Sequence, residues 1–103
     1  MARTTLRHAA IAPAHPGELL REIVIPATKR PKAEIARLLG ISRQHLHDIL
    51  AERKPVTPET AVRLGKLFGD GAAVWARMQS ERDLWEAARR IDVSSMPTLR
   101  AAD

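Results

Sequence analysis

Arg43, Gln44 and His47 place a guanidinium, an amide and an imidazole within two turns of one short amphipathic segment, and Ser42 stands directly before them. A guanidinium or amide pairs bidentately with a purine edge, while a hydroxyl beside the free backbone N–H groups of a helix start holds a phosphate. Lys32, Ser42, Arg53 and Lys54 surround the stretch and suit contacts to a phosphate backbone. Other chemistry is poorly served. His45 and His47, two residues apart on a helix, diverge by about 200° and do not chelate one ion easily. His15 has no serine, cysteine or paired carboxylate placed to work with it, and before Pro16 it reads as a capping or packing residue. The chain has no cysteine, which removes disulfides and thiolate metal sites. No nucleophile, metal cluster or phosphate loop appears, so the sequence predicts neither a catalytic site nor a cofactor, and the chain does not read as an enzyme.

The elements that must position these residues follow from glycine, proline and helical periodicity. The 103 residues suffice for one modest core and exclude a large multidomain enzyme. No apolar run approaches the roughly 20 residues that cross a bilayer, and the basic N-terminus lacks a sustained apolar stretch before a cleavage site, which predicts a cytoplasmic protein with no membrane partner. Residues 1–14 have no settled period and read as a mobile arm, whose Arg3 and Arg7 are solvated charges or phosphate contacts. A first helix opens at His15-Pro16-Gly17-Glu18, turns Leu19, Leu20 and Ile23 inward, and stops near Val24 because Pro26 disfavours helix in the residue before it. A second spans Lys32–Leu39 and ends at Gly40; a third follows Ser42, with Leu46, Ile49 and Leu50 on one face and Gln44, His47 and Asp48 on the other. Thr57-Pro58 opens a fourth helix that runs to Gly69, and a fifth runs from about Ala72 to Arg89. Residues 91–103 form a tail, disordered or adding a short strand. The sum is an all-α bundle.

Two of these helices meet across a tight glycine turn, as in a helix-turn-helix. Ala36 supplies the small residue where such helices cross, Gly40 the turn, and Leu46 with Ile49 dock the second helix. The end of that helix carrying Ser42, Arg43, Gln44 and His47 is the part that enters a major groove. An ordinary helical hairpin with a solvated polar face has the same spacing. Charge favours the first reading: residues 1–54 hold ten basic and five acidic side chains, against seven of each in residues 55–103, so the whole excess of +5 lies in the first half.

The chain resembles HigA-type antitoxins, a branch of the Xre/lambda-repressor-like helix-turn-helix proteins, over about residues 15–89. His-Pro-Gly-Glu-Leu-Leu at 15–20, Glu34 to Ser42, Val56-Thr57-Pro58-Glu59-Thr60-Ala61 with Arg63-Leu64, and Trp75 followed by Met78-Gln79 and Asp83-Leu84-Trp85 carry the likeness. It implies a five-helix fold with flexible ends, a dimer that represses its own operon at operator DNA, and a cognate RelE-like ribonuclease toxin neutralised by direct binding. A free-standing regulator without a toxin is the alternative. Arg30-Pro31 replaces the usual Ser or Thr cap of the second helix, which makes Pro31 the residue that starts that helix. Glu52-Arg53-Lys54 replaces the usual glycine after the third, so one of them strains if it must be left-handed. Residues 15–90 form the expected binding and dimerisation domain. Its fifth helix has more apolar surface than a small core needs, which predicts a two-fold seam at Leu84 and Trp85 with Trp75 in the monomer core.

Overall fold

The computed structural model describes residues 11–102. Among them are five helices and no strand, in the order expected. α1 is one continuous helix made of Pro16–Leu19, a π-helical turn Leu20–Val24 and Ile25–Thr28; α2 is Lys32–Leu39, α3 Arg43–Leu50, α4 Pro58–Phe68 and α5 Ala72–Arg90. Arg3 and Arg7 lie outside the described residues.

α1 departs from expectation, because it does not stop near Val24. Proline lacks an N–H, and in a regular α-helix its ring crowds the carbonyl four residues back. Here the turn before Pro26 widens to π geometry, with the Ile25 N–H bonding the Leu20 carbonyl, and the helix runs on until Lys29 turns left-handed at φ 57°. The wider turn also moves the inward stripe toward the C-terminal end of the helix. Ile25 is buried where Ile23 was expected, and Ile23 is 61% exposed.

The cap signals of the other helices act as read. Ser42 Oγ accepts the His45 N–H at 2.9 Å, and Thr57 Oγ1 accepts that of Thr60 at 3.2 Å. α2 has no side-chain cap. Pro31 sits one residue before its start, at the cap position and in extended geometry, and its carbonyl accepts from Glu34 and Ile35. Gly40, at φ 75°, ends α2, and the guanidinium of Arg63 in α4 reaches back to the Leu39 carbonyl at 2.9 Å to hold that corner.

The core comprises Leu20, Ile25, Ile35, Leu39, Leu46, Ile49, Leu50, Leu64 and Trp75, with Leu19 and Phe68 partly buried against it. Trp75 lies in the monomer core, with its indole N–H on the Asp70 carboxylate at 2.9 Å and its ring 6.3 Å from that of Phe68. The tightest approach in this core involves Gly17. A Cβ there would fall 1.9 Å from the Ile49 carbonyl oxygen, so α1 crosses α3 backbone to backbone. His15 prepares that crossing by accepting the Gly17 N–H on Nδ1 at 2.9 Å, a capping role.

The described end of the arm is tied down: the Pro13 carbonyl accepts from Arg82 of α5 at 3.1 Å. Residues 91–102 leave α5 with every side chain exposed.

Candidate nucleic-acid interface

α2 and α3 form the expected pair, with Ala36 buried between them. The exposed start of α3 presents Ser42, Arg43, Gln44 and His47 together, and Lys32 is exposed at the start of α2. Ser42 accepts a hydrogen bond as the cap, which leaves its own O–H free to donate to a phosphate. A shallow groove between Pro31 and Ala33 of the α2 start and Ile41 and Arg43 at the α3 start runs beside these groups.

Asp48 is not on the free face where the helical wheel placed it. It is buried and organises the far end of the site. Its Oδ1 accepts from Gln44 Nε2 at 2.9 Å and from Arg53 Nη2 at 2.8 Å, and its Oδ2 lies 3.6 Å from Lys54 Nζ. The Arg53 hydrogen bonds, with help from the Gln44 amide and the Arg53 and Lys54 charges, hold the Asp48 carboxyl below its usual range against the effect of burial. The Asp48 backbone carbonyl also accepts from the Arg53 and Lys54 N–H groups. Both cations therefore hang from one internal carboxylate with their stems more than half exposed. Gln44 keeps its carbonyl and one amide hydrogen free for a base edge.

The turn after α3 makes its left-handed step at Glu52, φ 61°. Arg21 of α1 steadies it, donating to the Leu50 carbonyl at 2.6 Å and to the Glu52 carboxylate at 3.3 Å. The loop is fixed from the other side by Gln79 of α5, which is buried: its Oε1 accepts the Val56 N–H at 2.7 Å and its amide donates to Asp83 at 2.9 Å. Sequence reasoning missed Asp48, Arg21 and Gln79 as supports of this site. Only the Gln44/Asp48 spacing of four carried a local signal for one of them.

The remaining expected positions lie on α5, away from this group. Leu84 is 70% exposed, and Trp85 is half-buried beneath the guanidinium of Arg89, 4.7 Å from its ring centre. Arg89 thus stacks on an aromatic face as well as serving the helix dipole.

An all-helical domain with a glycine-turned helix pair and a polar, basic recognition end defines a helix-turn-helix protein of the Xre-like class. No family model matches the sequence. The Pseudomonas aeruginosa antitoxin HigA, solved with the higBA promoter, is 33% identical and superposes with a TM-score of 0.75 over 84% of this chain and 99% of that one. An addiction module antidote protein of the HigA family from Coxiella burnetii is 28% identical, with a TM-score of 0.73 over 85% of this chain and 100% of that one. The virulence-associated protein I of Dichelobacter nodosus is 36% identical over 68% of this chain, which spans 65% of that relative's length. The chain belongs to the HigA family of antitoxins.

Proposed function

We propose that this chain is the antitoxin of a type II toxin–antitoxin module, which binds operator DNA as a homodimer to repress its own operon and neutralises a RelE-like ribonuclease toxin by direct binding. The observation that carries the DNA half is the start of α3: Arg43, Gln44 and His47 exposed beside the Ser42 cap, in a relative of a protein solved on its promoter. In this reading Arg43, Gln44 and His47 read bases, while Lys32, Ser42, Arg53 and Lys54 hold the phosphate backbone. Residues 15–90 form the working domain and the seam includes Leu84 and Trp85.

Footprinting on the promoter of the chain's own operon tests the first half. Protection of two half-sites about one helical turn apart is expected, and its absence overturns operator binding. Co-expression with the product of the neighbouring small basic reading frame tests the second. A stable complex and rescue of growth are expected, and a neighbour that is neither toxic nor bound leaves a free-standing regulator.

A further inference from the structure

The tail after α5 is apolar where a solvated end should be polar. Ile91 is 55% exposed, Val93 57%, Met96 67% and Leu99 89%, so each shows more than half of its surface to solvent. The tail is not featureless. The Asp92 carboxylate accepts the Ser94 N–H at 2.9 Å, and the Met96 N–H closes a turn on the Val93 carbonyl, so the tail carries a short hydrogen-bonded turn.

α5 has the matching surface. Glu81, Leu84, Trp85 and Ala88 recur at helical spacing and, with Pro13, line a groove of about 340 Å³. Most of its lining is apolar, and its single charged rim residue, Glu81, has no ion-pair partner among the described residues. The last cation of the described tail, Arg100, is likewise exposed and unpaired there. A seam made of Leu84, Trp85 and Ala88 alone falls well short of the roughly 800 Å² per partner that specific interfaces bury. Four further apolar side chains on each chain make up much of the difference.

We propose that the tail of one protomer, Ile91 to Arg100, lies along α5 of a second copy, with Val93, Met96 and Leu99 in the groove of Pro13, Leu84, Trp85 and Ala88 and Arg100 at the Glu81 carboxylate. The inference rests on the homodimer proposed above and says what completes its seam.

Sedimentation equilibrium on the full chain carrying Met96→Asp and Leu99→Asp tests it. Both side chains are at least two-thirds exposed in the protomer and lie outside its core, so the helical signal should stay unchanged, and the dimer is expected to weaken at least tenfold. An unchanged dimer overturns the tail exchange and leaves the homodimer standing; a wild-type chain that is monomeric at tens of micromolar without DNA removes both. The chain has no cysteine, so mixing a Met96→Cys chain with an Ala88→Cys chain and adding a short bismaleimide provides a second reading. A cross-linked pair of the two chains is expected. If linkage forms only within a single chain carrying both substitutions, the tail folds onto its own helix and the exchange is wrong.

Discussion

At the scale of single residues, His15 ties stability to pH. Burial, the largest influence, lowers its pKa below 6.5, joined by the Arg82 charge and opposed by Glu52, Asp83 and Glu86. The neutral ring accepts the Gly17 N–H, and a proton on Nδ1 would set donor against donor. Because the folded pKa lies below the unfolded one, the unfolded chain takes up the proton first. Its contribution is therefore complete above about pH 6.5 and declines as pH falls toward the folded value. Urea midpoints should drop between pH 7.5 and 5.5, and His15→Ala, which loses about 0.5–2 kcal/mol as a cap at neutral pH, should show a smaller drop. An equal drop in both proteins would refute this account. On the DNA face, Arg43→Ala or Gln44→Ala should cost about 1–3 kcal/mol at the operator and relax base preference. Arg53→Ala or Lys54→Ala should weaken all sequences alike and lower the salt slope by roughly 0.9 per lost phosphate contact. Competition binding over a salt series separates the two classes.

At the scale of elements, the helix crossings decide what the domain tolerates. Ala36→Leu should cost on the order of 1–3 kcal/mol by overpacking α2 against α3. Gly17→Ala should cost more, since its methyl meets the backbone of Ile49 and no side-chain rotation relieves it. Thermal melts rank the two, and a Gly17→Ala protein as stable as wild type would mean that α1 does not approach α3 as described. The same elements show what the sequence made legible. Caps and periodicity placed α2 to α5 within a residue or two, because Ser42, Thr57, Gly40 and Gly69 act on their own backbone neighbours. α1 escaped that logic: Pro26 forbids a regular helix, but one widened turn satisfies it, and only the packing of Ile25 in place of Ile23 rewards that solution. Asp48 was misplaced for a related reason. A helical wheel assigns faces by angle, whereas Arg53 and Lys54 fold back after α3 and cover the carboxylate that the wheel left in water.

At the scale of the whole molecule, one helix-turn-helix covers too little DNA for useful specificity, and the proposed homodimer answers this by presenting two copies of α3 about 34–36 Å apart. Light scattering of the Leu84→Asp, Trp85→Ala double variant at micromolar concentration should give a folded monomer. A folded double variant that stays dimeric without DNA would put the seam elsewhere. Gln79 gives that geometry a thermodynamic consequence. One buried amide joins α5, where a partner would sit, to Val56 at the end of the loop that follows the recognition helix. That hydrogen bond adds to the packing of α5 on α4 and ties the dimer-seam helix to the recognition end of the domain. If occupancy of α5 and occupancy of the operator favour different placements of that amide, the two binding events share one coupling free energy. The coupling is reciprocal: whatever grips α5 alters operator affinity by the same factor by which the operator alters that grip.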